Sequence, residues 1–107
     1  RGILATCYAM AKAKVTAKDV EAAYRKRYGK EPFVRLLSPG LLPSTKDVRG
    51  SNFCDIAWRV DEKSRRVVVV SAIDNLVKGA AGAAVQCFNL MSGFPEEEGL
   101  RTMPLFP

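Results

Sequence analysis

With 107 residues, 48% of them hydrophobic, the chain fits one ordinary domain or a piece of a larger one; it can bury roughly 65% of its unfolded surface, enough for a core without staples. The formal charge of +6 comes from 17 Lys and Arg against 11 Asp and Glu, and the excess lies in residues 1–50, with eleven positive and four negative charges, against six and seven in residues 51–107. The absence of histidine removes the usual proton shuttle and the commonest transition-metal ligand, while Cys7, Cys54 and Cys87, odd in number and without a C-x-x-C spacing, speak against a disulfide framework or a metal site and for a reducing compartment.

The apolar run Ile3 to Met10 is short enough to predict a strand. The stretch Gly2 to Ala11, ending in Ala9-Met10-Ala11, also resembles superficially the tail of a signal peptide, but a short strand explains the same residues. A start at Arg1 rather than Met is expected of a fragment, a processed product or a trimmed chain. Lys12 and Lys14 then alternate with Ala13 and Val15, as in a strand leaving the core. Thr16 and Asp19 form a capping box, and Val20, Tyr24 and Tyr28 recur at helical spacing, so a helix is predicted over Ala17 to Tyr28 with Gly29 as its left-handed stop. Lys18, Glu21, Arg25 and Lys26 occupy its outer face.

Phe33 to Leu37, after Pro32, predicts a second strand, and Ser38 to Ser51, with Pro39, Gly40, Pro43 and Gly50, an irregular segment of the kind that often carries function. Cys54, Ile56, Trp58 and Val60 alternate with Phe53, Asp55, Ala57 and Arg59, which predicts a strand with one firmly apolar face. Asp61 to Ser64 turn the chain into Arg66 to Ile73, whose four consecutive valines predict a strand covered on both sides and hairpin-paired with its predecessor. From an N-cap at Asp74 a helix is predicted to run to about Met91, stopped by Gly93 and Pro95. Within it, Gly79-Ala80-Ala81-Gly82-Ala83-Ala84 presents almost no side chain; two glycines in a helix cost about 1 kcal/mol each relative to alanine, so something must approach that backbone closely, another helix being the plain choice. The tail, Leu100 to Pro107, shows no regular pattern but holds spaced apolar residues that could dock elsewhere. Neither an internal repeat nor a stretch long enough to span a bilayer occurs.

Val70 to Gly82 carries the most information, because a buried strand there delivers Asp74 and Asn75 onto a helix start. Such an end gathers unpaired N–H groups and partial positive charge, which favours an anion or a carbonyl oxygen. An amide both donates and accepts, so Asn75 could orient a carboxamide; plain helix capping is the alternative. The order Asp74-Asn75-Leu76-Val77-Lys78-Gly79-Ala80-Ala81-Gly82 resembles the final helix of the N-acetyl-gamma-glutamyl-phosphate reductases, with Gln86, Asn89, Leu90, Met91, Gly93, Pro95, Glu96, Gly99 and Leu100 in step. Upstream, Arg1-Gly2-Ile3 resembles that family's Arg-Gly-Ile strand and Pro32-Phe33-Val34-Arg35 its second strand. Thr45-Lys46-Asp47-Val48-Arg49-Gly50-Ser51-Asn52 resembles its Thr-x-x-Val-x-Gly-Ser-Asn segment. Departures are Ala83, where the family more often has Gln, and the atypical Cys87 and Ser92.

The resemblance implies an α+β fold: a mixed or antiparallel sheet with helices on one face, as in the C-terminal domain of a glyceraldehyde-3-phosphate-dehydrogenase-like architecture, without the Rossmann domain. Residues 1–73 would belong to the substrate and dimerisation domain, and 74–107 would form a closing helix and tail that pack on an NADP-binding domain outside this chain. The family reduces N-acetylglutamyl phosphate to the semialdehyde with NADPH in arginine biosynthesis, using a cysteine thiolate, a thioacyl intermediate and a histidine. Neither the Gly-Cys-Tyr-Pro-type segment nor the histidine segment is present, so no catalytic residue is expected here and the chain alone would be inactive. Cys7-Tyr8 is followed by Ala9 instead of proline, and Cys7, Cys54 and Cys87 are expected to be small, inert core residues.

By the same resemblance Asn75 is expected to contact the nicotinamide carboxamide, with Lys78 and Gly79 as further cofactor contacts. Arg1 is proposed as a contact for the substrate's phosphate or carboxylate, against the alternative of a surface ion pair. Expected partners are the rest of the same enzyme, a second copy and an anionic substrate steered by the basic half, with no nucleic acid and no membrane. The expected place is the cytoplasm, or a plastid or mitochondrion in a eukaryote. Rival readings are a non-catalytic dimerisation module, a piece of aspartate-semialdehyde dehydrogenase, and an electrostatic nucleic-acid surface, for which no motif is present.

Overall fold

A computed structural model describes residues 1–105; Phe106 and Pro107, the end of the tail and of the proposed closing segment, lie outside the described residues. Four strands form one sheet: β1 (Ile3–Met10), β2 (Val34–Leu36), β3 (Cys54–Asp61) and β4 (Arg66–Ile73), in the order β1-β4-β3-β2. β4 pairs antiparallel with both β1 and β3, and β2 runs parallel to β3. The predicted hairpin joins β3 to β4, and the Asp61 carboxylate closes its turn by accepting from the Lys63 and Ser64 N–H groups and the Ser64 hydroxyl.

Helix α1 (Ala17–Tyr28) begins at the predicted capping box, with the Thr16 hydroxyl accepting from Asp19 N–H and the Asp19 carboxylate accepting from Thr16 N–H. Its end differs from expectation. Gly29 sits in right-handed helical space at φ −64 and donates its N–H to the Arg25 carbonyl, so it continues the helical pattern instead of reversing it. Lys12 to Val15 are irregular and extend no strand, because β4, the strand that pairs with β1, begins at Arg66 opposite Met10.

Period-two alternation places Ile56 and Trp58 on one face of the sheet and Asp55, Ala57 and Ala72 on the other. Tyr24 of α1 stacks on Trp58 at 5.1 Å, which fixes α1 to the first face. On the second face, a four-residue helix α2 (Thr45–Val48), capped by Ser44, closes over one end of the sheet. It lies inside the segment expected to be irregular and escapes detection because one helical turn has too few residues to show a period. Arg35 ties it down, its guanidinium gripping both oxygens of buried Asp55 and donating to the Asp47 carbonyl. Val48, Ala57, Ala72 and Phe33 form the buried centre.

Beyond that end the second face is open. Val67 to Val70 are half-buried, not covered on both sides as expected, because no further layer lies over Val68 and Val70 among the described residues. Leu4, Tyr8 and Met10 of β1 lie on the same face at 56%, 73% and 60% exposure. None of the helices is long and apolar enough to cross a membrane, among the described residues.

Candidate functional site

Three segments remote in sequence meet where β4 ends. Asp74 leaves the sheet with its carboxylate fully buried. One oxygen accepts from the N–H groups of Leu76 at 2.8 Å and Val77 at 3.2 Å, the capping role expected of it. The other accepts from Gly50 N–H at 2.6 Å and pairs with the Arg1 guanidinium at 2.9 Å. Burial by itself would raise this carboxyl, but donation from Gly50, Leu76, Arg1 and Val77 together outweighs it and holds the pKa at about 2.

Asn75 is half-buried, and its Oδ1 accepts the Gly2 N–H at 2.8 Å. Its Nδ2 makes no hydrogen bond among the described residues, so the amide offers a donor outward. Gly2 has φ +120, and a Cβ there would meet Thr45 Cβ at 2.6 Å, so only glycine lets the chain pass between α2 and Asn75. Arg1 thus lies against Asp74 while its neighbour lies against Asn75. The ion pair expected as the alternative for Arg1 exists, but with a buried partner, and the Arg1 side chain stays 37% exposed.

The predicted single helix is interrupted at its start. Val77–Ala81 form a π-helical turn, in which Gly79 N–H donates to the Asp74 carbonyl, Ala81 to Leu76 and Gly82 to Val77; an α-helix, α3 (Gly82–Ser92), follows and ends at left-handed Gly93. Such turns are rare and concentrate at functional sites. Gly79 is exposed on this turn, beside the Asn75 side chain.

Below the turn, Lys78 points inward: its ammonium donates to Gln86 Oε1 at 2.6 Å and stands 5.7 Å over the Phe33 ring. Asn52 donates to the same Gln86 oxygen at 3.0 Å, and Gln86 donates to Glu96 at 2.5 Å. Asn89 donates to the carbonyls of Glu96 and Glu98, which pins the returning chain to α3. The close approach expected at the glycines is real at Gly82, but the partner is the loop residue Asn52 and not a second helix. Asn52 Oδ1 is buried there without a hydrogen bond. The tail folds back as well, Leu105 N–H donating to the Arg49 carbonyl.

The cysteines depart from expectation. Cys7 and Cys87 are exposed, because β1 is an edge strand that α1 covers poorly and Cys87 lies on the outer side of α3. Cys54 alone is half-buried; burial pushes its thiol up against the opposing pull of Lys78. A cleft of about 460 Å³ opens between the first turn of α1, Leu37 to Gly40 and β3, and none of Arg1, Asn75, Lys78 or Gly79 lines it. The structure therefore brings Arg1 and Asn75 together through Asp74, sets Gly79 beside them, and turns Lys78 away. Gly2, Gly50 and Asn52 also belong to this site, and no local pattern marks them, since their partners lie 73, 24 and 34 positions away.

Residues 1–75 match the model of a family described as semialdehyde dehydrogenase, dimerisation domain. The chain belongs to that family. The match to this dimerisation domain ends at Asn75, where the polypeptide leaves the sheet. Over all 107 residues the chain is 58% identical to the N-acetyl-gamma-glutamyl-phosphate reductase of Citrifermentans bemidjiense and 55% identical to that of Geobacillus stearothermophilus, and it spans 31% of the length of each. Aspartate semialdehyde dehydrogenase II of Vibrio cholerae has the same fold, with a TM-score of 0.68 at 21% identity over 86% of this chain and 27% of that one.

Proposed function

We propose that this dimerisation-family chain is the C-terminal substrate and dimerisation part of an NADP-dependent N-acetyl-gamma-glutamyl-phosphate reductase acting in arginine biosynthesis. The carrying observation is identity of 52–58% along the entire chain to enzymes of that name. Residues 1–73 form the sheet domain. Residues 74–107 lead onto a nucleotide-binding domain: the outer side of α3 exposes Val85, Phe88 and Met91 at helical spacing, an apolar stripe suited to that contact.

NADPH, when bound, supplies hydride for the reduction. The donor set fits one end of it: Asn75 presents Nδ2 to an amide oxygen and Gly79 leaves the adjoining backbone bare. Arg1 keeps N–H groups beyond its Asp74 contact for a phosphate or carboxylate on the substrate side. The chain contains no histidine, so acid and base work falls to residues outside it. The open face bearing Leu4, Tyr8 and Met10 suits pairing with a second copy, and the bacterial relatives agree with a cytoplasmic place. The test is NADP-dependent, phosphate-requiring oxidation of N-acetylglutamate semialdehyde by the intact polypeptide, with aspartate semialdehyde as competitor. Preference for aspartate semialdehyde would move the assignment to the neighbouring enzyme.

A further inference from the structure

A helix cap needs one carboxylate oxygen, and Asp74 spends only Oδ1 on the cap. Oδ2 serves residues outside the helix, Gly50 and Arg1. Asparagine caps helices as well as aspartate does. At position 74, however, its NH₂ would face the Gly50 N–H and the Arg1 guanidinium, donor against donor. The second oxygen therefore has a task beyond capping. That task falls on residues 1 and 2 together, because Arg1 is held by Asp74 while Gly2, next in the chain, donates to Asn75 Oδ1.

We propose that Asp74 is a positioning residue for the cofactor: by anchoring Arg1 and Gly50 it fixes the Gly2 N–H against Asn75 Oδ1, which sets the Asn75 amide with Nδ2 outward toward the oxygen of the nicotinamide carboxamide, an inference that rests on Asn75 meeting that group. Without the anchor, Gly2 moves, Asn75 can rotate about its last torsion, and its oxygen faces the carboxamide oxygen. Two acceptors then oppose each other and the ring loses its orientation. Arg1 in this arrangement serves the dinucleotide side of the reaction, through Asp74 and Asn75, in addition to any contact with substrate.

The experiment uses the intact enzyme: the Kd for NADPH is read from nucleotide fluorescence without acyl phosphate and should move with the NADPH KM, which is separated from the KM for the acyl phosphate. Loss of one oriented hydrogen bond predicts a rise of about tenfold in the NADPH KM for Asn75→Ala and for Arg1→Ala. Arg1→Lys recovers most of it, because a single nitrogen makes the contact. In the Asn75→Ala background, Arg1→Ala adds nothing further, as expected for residues acting as one unit. Asp74→Asn gives the same pattern, and the Arg1 variants carry the test should it fail to fold. Multiplying effects of Arg1→Ala and Asn75→Ala, or an Arg1→Ala effect confined to the acyl phosphate KM, would overturn the positioning role while leaving the Asn75 contact in place. An Asn75→Ala enzyme with an unchanged NADPH KM would instead remove the contact itself.

Discussion

Around Asp74, one buried carboxylate receives four donors drawn from the start of β1, the end of α2 and the turn after β4. On the open side of the same sheet, Leu4, Tyr8 and Met10 stand over half exposed. The carboxylate at the centre of the first region is satisfied within the chain, whereas the second region is apolar and open. Burial and hydrogen bonding thus mark two kinds of surface in one small sheet, one that sets geometry within the chain and one left open, which the proposed pairing with a second copy would cover.

Substitutions should divide along the same line. Asp74→Ala, which strands three backbone donors and a guanidinium, is expected to cost about 3 kcal/mol in chemical denaturation; a loss under 1 kcal/mol would mean that the junction is not closed. Acid should act on the same residue. The Asp74 pKa is depressed from 3.8 to about 2, so its stabilisation is fully present above pH 4 and disappears as pH falls toward 2. That is about 2 kcal/mol, and a denaturation series from pH 5 to 2 should show it in the native chain and lose it in Asp74→Asn. Gly82→Ala drives a methyl into Asn52 and the Val77 carbonyl and is expected to cost about 2 kcal/mol. Tyr8→Asp lies at the other end of the scale: the fold should change by less than about 0.5 kcal/mol, while light scattering should show the dimer weakened. A Tyr8→Asp chain as dimeric as the native one would place the pairing surface elsewhere.

Much of this fold is legible in the residues, and the legible parts are local. β1, α1 and β4 fall at Ile3–Met10, Ala17–Tyr28 and Arg66–Ile73 as predicted, because a short apolar run, a capping box and a valine run are written in adjacent positions. The π-helical turn is not legible: Gly79-Ala80-Ala81 carries no side chain whose spacing could report a five-residue ring. Gly29 misleads, since glycine permits the left-handed conformation without demanding it. At the site, Asp74 and Asn75 announce themselves through the strand-to-helix junction. Their partners Arg1, Gly2 and Gly50 do not, because a contact across 73 positions leaves no periodic trace. The four valines predict a second cover that the described residues do not supply.

The π-helical turn closes its rings with one residue more than an α-helix uses. Excising a single alanine, Ala80, would let the backbone relax to ordinary geometry, in which four residues turn about as far as five do here. Phe88 and Met91 would then keep their direction while the bare backbone at Gly79 lost its widened turn beside Asn75, so the surplus residue shapes the junction without re-aiming α3.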